Sequence, residues 1–553
     1  MVDFQDIESL TIRLVKVASR TDSEGEKAFP AFLASILSEI SYFKSNPDDI
    51  VVQKIENDPK GRSNLFALVR GTGSGCVLLT GHYDVVQTSM YGSLEPWAFD
   101  PEGLRKKILE ISATPGFEAG QLKGLRKDLA SGEFLPGRGV LDMKSGLAAS
   151  ISVLAEFSRG KRRGNLLFLA VADEEGSSRG MKAAAARLPG FLESRGLIPR
   201  LAVNLDAAVD QGDGEQGRAV FIGSVGKALP FAYFIGRCTH AGAPFDGINP
   251  SLLASEFARE IESNPAALPE KRQPAEVKPG EAPSPPTILY FRETRENYDV
   301  TTPQAFFCAL NVLSHSLGPE AIIESLGALA RSAMDRAIEL LRQRASSFAG
   351  RVPGRFSIPD AKPTLLGFEE FARSAELANP GILDRARSLA AAQHPDDRVQ
   401  QSLAVLQTLL PFTGVEGPAA VLGFAPPYYP RSEFDQEIHA DFMTTLRRII
   451  DEYSKEIGKS IRLRQYFPGI SDMSFLSFLD SPAQREYVRT MSAVPDTADA
   501  DAGKPPIACP VINLGPWGRE YHQLGERVHR EYSFAQMPAL LVRIVAAALA
   551  EEE

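Results

Sequence analysis

Apolar runs and helical patterns alternate over the first 216 residues of the chain. Apolar positions at helical spacing predict helices in the first forty residues, and strands alternate with helices from residue 63. The runs that predict strands are Asn64–Val69, Cys76–Thr80, Leu166–Val171 and Leu201–Leu205, and the helical patterns between them include Gly146–Phe157 and Met181–Leu188. This alternation predicts an α/β sheet whose functional side chains lie at the carboxyl edge of the strands.

The pattern changes near residue 217, where the apolar runs Ala219–Ile222 and Leu229–Gly236 indicate antiparallel strands. Helical patterns follow at Pro250–Ile261 and at about Pro319–Arg344, and the Pro-rich stretch Pro265–Pro286 between them predicts an exposed loop or a disordered segment. Alternation returns after about residue 396. We therefore predict a discontinuous catalytic domain, with its first part at 1–216, an inserted α+β domain at 217–355, and an extension plus the second catalytic part at 356–553.

Acidic and histidine side chains follow the apolar runs directly. They lie in Gly81-His82-Tyr83-Asp84, in Asp173-Glu174-Glu175-Gly176, in Asn204-Leu205-Asp206, and in two glycine-bearing segments around Asp142 and His522. Carboxylates and imidazoles gathered at one edge of a sheet suit a pair of divalent cations of the zinc type. In the His-x-Asp pair, the Asp84 carboxylate can accept a hydrogen bond from the His82 ring and so fix its tautomer.

Each of these residues also has an interpretation without function. Asp142 can be a helix N-cap, Glu174 and Glu175 can form a solvated surface pair, and Asp206 can cap a turn. Their shared position, directly after buried strands, favours one common site. The other histidines, which include His315, His394, His439 and His529, are expected to be structural or exposed.

Composition excludes several classes of protein. The chain has 553 residues, 60 basic and 70 acidic side chains, and a net charge of −10, which argues against a nucleic-acid partner. The N-terminus lacks the order of a signal peptide, and the most apolar stretch, Met537–Ala550, is interrupted by Arg543, so we expect no membrane association. Four scattered cysteines are typical of free thiols in a reducing cytoplasm, and a cytoplasmic location is predicted.

Taken in order, the motifs resemble those of the di-zinc aminoacylase and carboxypeptidase family (peptidase family M-twenty, clan MH). The matching segments are Gly81–Val86, Gly137–Gly146, Asp173–Ser178, Thr239–Pro244 and Gly247–Pro250. Within the family, Tyr298–Pro303 and Pro426–Pro430 resemble the branch of the arginine-utilisation protein RocB. The resemblance implies a zinc-exopeptidase-type catalytic domain, a mixed sheet flanked by helices, with an inserted lid and dimerisation domain.

The family pattern implies a role for each site residue. Two divalent metal ions, most commonly zinc, with cobalt or manganese as alternatives, would be bound by His82 and Asp206 at one site and by Glu175 and His522 at the other. Asp142 would bridge both ions, Glu174 would be the general base, and Asp84 would orient His82. In the inserted domain, His240 would support the reacting carbonyl and Asn249 would contact substrate, and that domain would form a homodimer. A cis peptide bond is expected between Asp142 and Met143.

The chain also departs from the family pattern. Extra residues lie at about 90–135 and 354–395. The arginine that binds the substrate carboxylate in many relatives has no clear counterpart, and Arg292 and Arg295 are the candidates. The segment Gly469–Asp472 resembles the substrate-side loop, which makes Ser471 a further candidate for substrate binding.

The leading hypothesis is a metal-dependent hydrolase that cleaves the amide or peptide bond of a small N-acyl or N-carbamoyl amino acid or dipeptide, with arginine or amino-acid catabolism as its setting. One alternative is an exopeptidase that acts on short peptides at the same site. Another is a catalytically silent binding protein on the same fold, which the presence of all five ligand candidates and the base disfavours.

Overall fold

The computed structural model describes residues 3–111, 121–268, 283–295, 297–349, 362–433, 439–496 and 506–550. Its strands are β1 Ile50–Lys54, β2 Ser63–Val69, β3 Thr72–His82, β4 Phe134–Pro136, β5 Arg163–Val171, β6 Ile198–Asn204, β7 Ala208–Val209, β8 Ala219–Phe221, β9 Gly223–Ser224, β10 Gly226–Ile235, β11 Thr287–Glu293, β12 Ala305–Ser314, β13 Thr364–Gly367, β14 Ala419–Tyr429, β15 Ser432–Glu433, β16 Arg462–Arg464, β17 Val511–Asn513, β18 Trp517–Arg519 and β19 Arg527–His529. Its helices are α1 Ile7–Val15, α2 Glu24–Leu37, α3 Ser41–Ser45, α4 Pro101–Ile111, α5 Gln121–Ser131, α6 Ser145–Phe157, α7 Arg179–Glu193, α8 Pro250–Ile261, α9 Pro319–Ala349, α10 Phe368–Ala378, α11 Ile382–Gln393, α12 Arg398–Leu409, α13 Ala440–Ile457, α14 Met473–Leu476, α15 Pro482–Met491 and α16 Met537–Ala550.

The chain divides into two compact units, and both are discontinuous in sequence. The first unit consists of Met1–Ser224, Ser432–Phe478 and Asp501–Glu553, and the second consists of Val225–Arg431 and Leu479–Ala500. An α/β unit interrupted by an inserted unit is the architecture that the sequence predicts.

The first unit is built on a mixed sheet. Within the described residues it has eight strands in the order β1-β2-β5-β3-β6-β17-β8-β16. Its centre is parallel, since β3 pairs in parallel with both β5 and β6, and β6 pairs in parallel with β17. The carboxyl-terminal parts of the central strands are fully buried, and α6, α7 and α16 pack against these strands. Parallel strands covered by helices leave their carboxyl ends as the open edge at which polar residues can gather.

One apolar segment of the first unit passes a simple test for membrane-spanning length. Within the described residues, Tyr532–Ala550 has the length and composition of a membrane helix, yet 56% of that window is buried inside the protein. Its buried side chains, Leu540, Leu541 and Ile544 among them, belong to the same core as the β3 and β5 residues. A core helix of a folded α/β unit accounts for these contacts.

The second unit has a five-stranded sheet, as far as its described residues show, in the order β11-β12-β10-β14-β13. Alternate residues of β12 belong to two different cores, with Cys308 and Leu310 on one face and Phe307 and Ala309 on the other. The first face is covered by α8 and α9, and the second by α10, α11 and α12. The extra segment predicted at 354–395 therefore supplies α10 and α11, which help to cover this second face, while its residues 354–361 lie outside the described residues.

The two units meet in sequence at positions that differ from the predicted domain boundaries. β8 belongs to the sheet of the first unit, so the second unit begins at Val225 rather than at 217. The second unit also continues to Arg431 instead of ending at 355, because β13 and β14 pair with each other and β14 pairs with β10. The predicted loop Pro265–Pro286 falls largely outside the described residues.

Candidate metal centre

The candidate ligands follow neighbouring strands of the first unit. His82 ends β3 and pairs in register with Val171 at the end of β5, which places the Glu174–Glu175 turn beside it. Thr80 pairs with Asn204 at the end of β6, two residues before Asp206. Asp142 lies in the short segment Val140–Lys144 that leads into α6, and its peptide bond to Met143 is cis, as predicted.

Three groups of imidazole and carboxylate atoms converge at this edge. Within each group the candidate ligand atoms lie within 4.8 Å of one another, and the groups are His82, Asp142 and Asp206; Asp142, Glu175 and His522; and His82, Glu174 and Glu175. His82 Nε2 lies 3.1 Å from Asp142 Oδ1, and His522 Nε2 lies 3.1 Å from Asp142 Oδ2 and 2.9 Å from Glu175 Oε1. The structure thus brings the five ligand candidates together, with Asp142 shared between two groups.

The candidate base lies at the same place. Glu174 Oε2 is 3.8 Å from His82 Nε2, and Asp206 Oδ1 is 4.0 Å from the same nitrogen. Burial raises the pKa of Glu174 well above its usual range, while the charge of His82 opposes the rise. Burial and the neighbouring Asp142 charge raise the pKa of Asp206 to about 8.

The surplus of buried negative charge is the physical reason to expect cations here. Four carboxylates, from Asp142, Glu174, Glu175 and Asp206, meet two imidazoles in a largely buried space. Carboxylates packed this closely repel one another, and bound divalent cations remove that repulsion. Carboxylate oxygen and imidazole nitrogen are donors that suit zinc and related ions, so the residues present fit a two-metal centre.

Asp84 has a different contact from the predicted one. The backbone carbonyl of Asp84, not its carboxylate, accepts from His82 Nδ1 at 3.0 Å, while the carboxylate oxygen is 3.7 Å from that nitrogen. The carboxylate instead accepts the backbone N–H groups of Glu174 and Glu175 at 3.0 and 3.2 Å. Because the chain turns at the end of β3, the carbonyl reaches the imidazole, and the carboxylate is free to hold the neighbouring turn.

A buried charge network behind the Glu174–Glu175 turn was not identified from the sequence. Arg62 is 2% exposed and donates to Asp173 Oδ1 at 2.7 Å and to Asp58, and Glu26 accepts the Asp173 backbone N–H at 3.0 Å. Asp173 has a left-handed backbone with φ of 64°. These contacts hold the strained residue that leads into the turn. No local pattern marks Arg62, since its partners lie up to 111 positions away.

Two further residues, Asn513 and Glu526, support the segments that carry candidate ligands, and the sequence alone assigned neither of them a role. The Asn513 side chain makes two hydrogen bonds with the backbone of Asp206. Its amide nitrogen donates to the Asp206 carbonyl at 2.9 Å, and its amide oxygen accepts the Asp206 N–H at 3.0 Å. Glu526 accepts from Arg138 and from backbone amides of the Asp142 segment. In the sequence, the signal for Asn513 was a polar residue at the end of an apolar strand, and the signal for Glu526 was an acidic residue four positions after His522.

Asp472 is another carboxylate close to this site. It is 1% exposed, and burial raises its pKa to about 7, with His82 opposing the rise. The preceding residue, Ser471, was predicted to contact substrate, but it is fully buried and its hydroxyl accepts from Asn204 Nδ2 at 2.9 Å. Ser471 therefore supports the end of β6, and its side chain has no exposed surface in this structure.

The remaining predicted residues lie in the second unit. His240 is exposed, and its Nδ1 accepts the Gly242 N–H at 3.0 Å. Asn249 caps α8 by accepting from the Ser251 N–H. Arg295 donates to the Glu293 carboxylate and to the Thr301 carbonyl, whereas Arg292 lines a polar cavity of about 320 Å³ together with residues of α12. The first unit alone contains the candidate metal ligands and the base.

Comparison with known proteins assigns the chain to a family. Residues 121–545 match the model of Peptidase family M20/M25/M40, so the chain belongs to this family of metal-dependent hydrolases. It is 31% identical to the uncharacterized protein YqjN of Bacillus subtilis, over 99% of this chain and 96% of that protein. It is 28% identical to Protein RocB of the same organism, over 97% of this chain and 93% of that protein.

Solved structures show the same fold. A tripeptidase from Staphylococcus aureus covers the full length of both chains with a TM-score of 0.51 at 15% sequence identity. This agreement confirms the predicted α/β catalytic unit with an inserted unit. The family that the motifs indicate is confirmed by the match to the family model.

Proposed function

We propose that this protein is a two-metal amidohydrolase that cleaves the amide or peptide bond of a small N-acyl amino acid, N-carbamoyl amino acid or dipeptide. The observation that carries the proposal is the sharing of Asp142 between two ligand groups, one completed by His82 and Asp206 and the other by Glu175 and His522. Zinc is the first candidate for the metal, with cobalt and manganese as alternatives. Arginine or amino-acid catabolism, which the sequence resemblance implies, is the proposed setting.

The chain's own residues would divide the chemistry as follows. Two bound divalent cations would supply Lewis-acid activation of a water molecule and of the substrate carbonyl. Glu174 would take a proton from the attacking water and return it to the leaving amine. Glu174 suits this role because it lies beside the two ligand groups that share Asp142, and each of those groups has three candidate ligands without it. His82 keeps one ring orientation because the Asp84 carbonyl accepts from its Nδ1, which leaves Nε2 facing Asp142.

A substrate panel tests this proposal. Purified protein loaded with zinc, cobalt or manganese would be incubated with N-acyl amino acids, including N-acyl arginine, with ureido compounds including citrulline, and with dipeptides, and amine release would be measured. We expect metal-dependent release from one class of substrate. Preference for peptides of three or more residues, added to the same panel, would favour the exopeptidase alternative. Silence across the panel with two metals bound would favour the binding protein.

Glu174→Gln provides the control within the same site. We expect it to retain both metal ions and to lose turnover by roughly 10²- to 10⁴-fold, the usual contribution of general acid–base catalysis. Metal content would be measured on the samples used for kinetics. Full activity of Glu174→Gln would contradict the assignment of the base.

We also propose a cytoplasmic location. All four cysteines are free, with Cys76, Cys308 and Cys509 buried and Cys238 exposed. Unpaired thiols are the state expected in a reducing compartment. Fractionation of cells that express the protein, with the oxidation state of Cys238 as a second readout, tests this.

A further inference from the structure

Glu526 lies next to the candidate metal centre. It contacts the segment that carries Asp142 through backbone N–H groups and not through the candidate ligand atoms. Its side chain is fully buried, and Oε2 accepts from Arg138 Nη1 at 2.5 Å. Oε1 faces the backbone N–H groups of Gly139, Leu141 and Asp142 at 2.8, 3.3 and 3.4 Å. One carboxylate thus accepts from a guanidinium and from three amides of the segment that leads to Asp142.

The same two segments are joined by backbone pairing. The Gly137 N–H donates to the Glu526 carbonyl at 3.1 Å, and β4 pairs with β19 directly beyond them. His522 lies four residues before Glu526, so the chain that supplies one candidate ligand also fixes the segment that carries the shared one. In the sequence these segments are about 385 residues apart.

The cationic partner of Glu526 is Arg138. It is 1% exposed, its guanidinium lies 5.3 Å from the centre of the Tyr91 ring, and Glu526 is the carboxylate with which it pairs among the described residues. A carboxylate that accepts from three backbone amides fixes their directions, because each hydrogen bond weakens steeply as its angle departs from linear. The direction of the Asp142 backbone in turn sets where its two carboxylate oxygens lie, one facing His82 and the other His522.

We propose that Glu526 and Arg138 are positioning residues that hold Asp142 between the two ligand groups, so that both metal sites depend on them. This rests on the proposed two-metal function. Glu526 acts through Asp142, not on substrate. Loss of its carboxylate would leave three amides without their acceptor and let Asp142 move, which would weaken both sites together. Loss of His522, by contrast, removes a donor from the group of Asp142 and Glu175 and leaves the other group complete.

Zinc binding, measured by competition with a chromophoric chelator, tests the proposal without reference to activity. The main variant is Arg138→Met with Glu526→Met, which replaces the buried ion pair by apolar side chains of similar size, a change that often preserves stability. We expect this double variant to fold, and to bind both zinc ions at least tenfold more weakly than the natural protein. His522→Ala is the comparison and is expected to weaken one zinc site and keep the other.

Folding is followed separately by circular dichroism and thermal unfolding in the presence of chelator, so that bound metal does not contribute to stability. Glu526→Gln is the second variant, for use if the double variant does not fold. Its amide oxygen can still accept while its NH₂ group faces Arg138, so we expect an intermediate loss at both sites. Glu531→Gln is the matched control, because Glu531 pairs with Lys459 at the surface, and wild-type affinity is expected.

The outcomes separate the two proposals. Weakening of both sites in a folded variant supports the positioning role. Wild-type affinity at both sites, or loss of one site alone, overturns the role of Glu526 and leaves the proposed function standing. Failure of the natural protein to bind two ions of zinc, cobalt or manganese overturns the proposed function itself.

Discussion

Some carboxylates close to the candidate metal centre accept backbone hydrogen bonds, although their chemistry alone would also suit a metal ligand. Asp84 and Glu526 are both buried carboxylates close to candidate ligands, yet each accepts backbone amides from a ligand-bearing segment. Such acceptors stabilise the segments that carry Glu174, Glu175 and Asp142. The geometry of the centre therefore depends on residues that would not touch a metal ion.

A pH effect on stability is expected at one buried histidine. His529 is 8% exposed, its Nδ1 accepts the Tyr532 N–H, and its ring packs against Trp517 and Phe134. Burial and the charge of Lys459 lower its pKa to about 4. Since the unfolded chain binds this proton at about pH 6.5 and the folded protein at about 4, the histidine's contribution to stability is full above pH 6.5 and is lost as the pH falls towards 4, by roughly 3 kcal/mol.

Urea unfolding between pH 7 and 4.5, in the presence of chelator, measures this contribution. We expect the free energy of unfolding to fall less steeply in His529→Gln than in the natural protein, because the variant lacks the titrating ring. Equal pH dependence in the two proteins would show that His529 does not titrate with a lowered pKa.

At the scale of elements, the site depends on how closely β6 and β17 approach each other at their ends. A Cβ atom added to Gly515 would lie 1.8 Å from the Asp206 carbonyl oxygen, which is an impossible contact. Gly515→Ala must therefore displace Asp206. We expect at least tenfold weaker zinc binding at the group of His82 and Asp206, with the other group retained, and a loss of about 1–3 kcal/mol in stability from the overpacking.

Zinc stoichiometry and chemical unfolding check this prediction. Gly190→Ala in α7 is the control, because an added Cβ meets nothing within 4 Å there. Two intact zinc sites in Gly515→Ala would mean that Asp206 is not a ligand or that its backbone can shift without cost.

The sequence predicted the elements of the first unit well because their signals are local. Each apolar run from residue 63 to 205 became a strand, and the clusters around His82, Glu174 and Asp206 each lie at the end of one. Asp84 contacts His82 as predicted, but through its backbone carbonyl and not its carboxylate, because a His-x-Asp pattern does not show which of the two reaches the ring. The contacts of Arg62 and Glu526 could not be predicted, because pairing across more than a hundred residues leaves no local pattern.

At the scale of the whole molecule, the boundaries between the units were harder to predict than the elements. The apolar run Ala219–Ile222 predicts a strand, but the run does not indicate which of the two sheets that strand joins. The alternation after residue 396 resembles the catalytic unit, yet α12 and β14 complete the second unit. A sheet covered on both faces, with α10 to α12 on one of them, gives the same apolar signal as an α/β sheet.

The second unit has an edge strand, β11, that carries exposed apolar side chains. β11 is hydrogen-bonded to β12 on one side only, within the described residues, and Leu289 and Phe291 are 50% and 41% exposed. An exposed apolar edge strand is a template for pairing with another strand. The homodimer implied by the family resemblance is therefore proposed to form at β11.

Light scattering of the purified protein tests the dimer. Leu289→Lys places a charge on this edge, and we expect the mass to fall from that of two chains to that of one. Leu377→Lys is the control, since Leu377 is 82% exposed on α10, away from the edge strand. A natural protein that is monomeric, or a dimer unaffected by Leu289→Lys, would contradict this interface.

We propose that one edge of the first unit binds two metal ions that share Asp142. Anomalous diffraction at the zinc edge, from crystals grown with zinc, tests it most directly. We expect two peaks, one among His82, Asp142 and Asp206 and the other among Asp142, Glu175 and His522. A single peak, or zinc bound elsewhere with these side chains unoccupied, would contradict it.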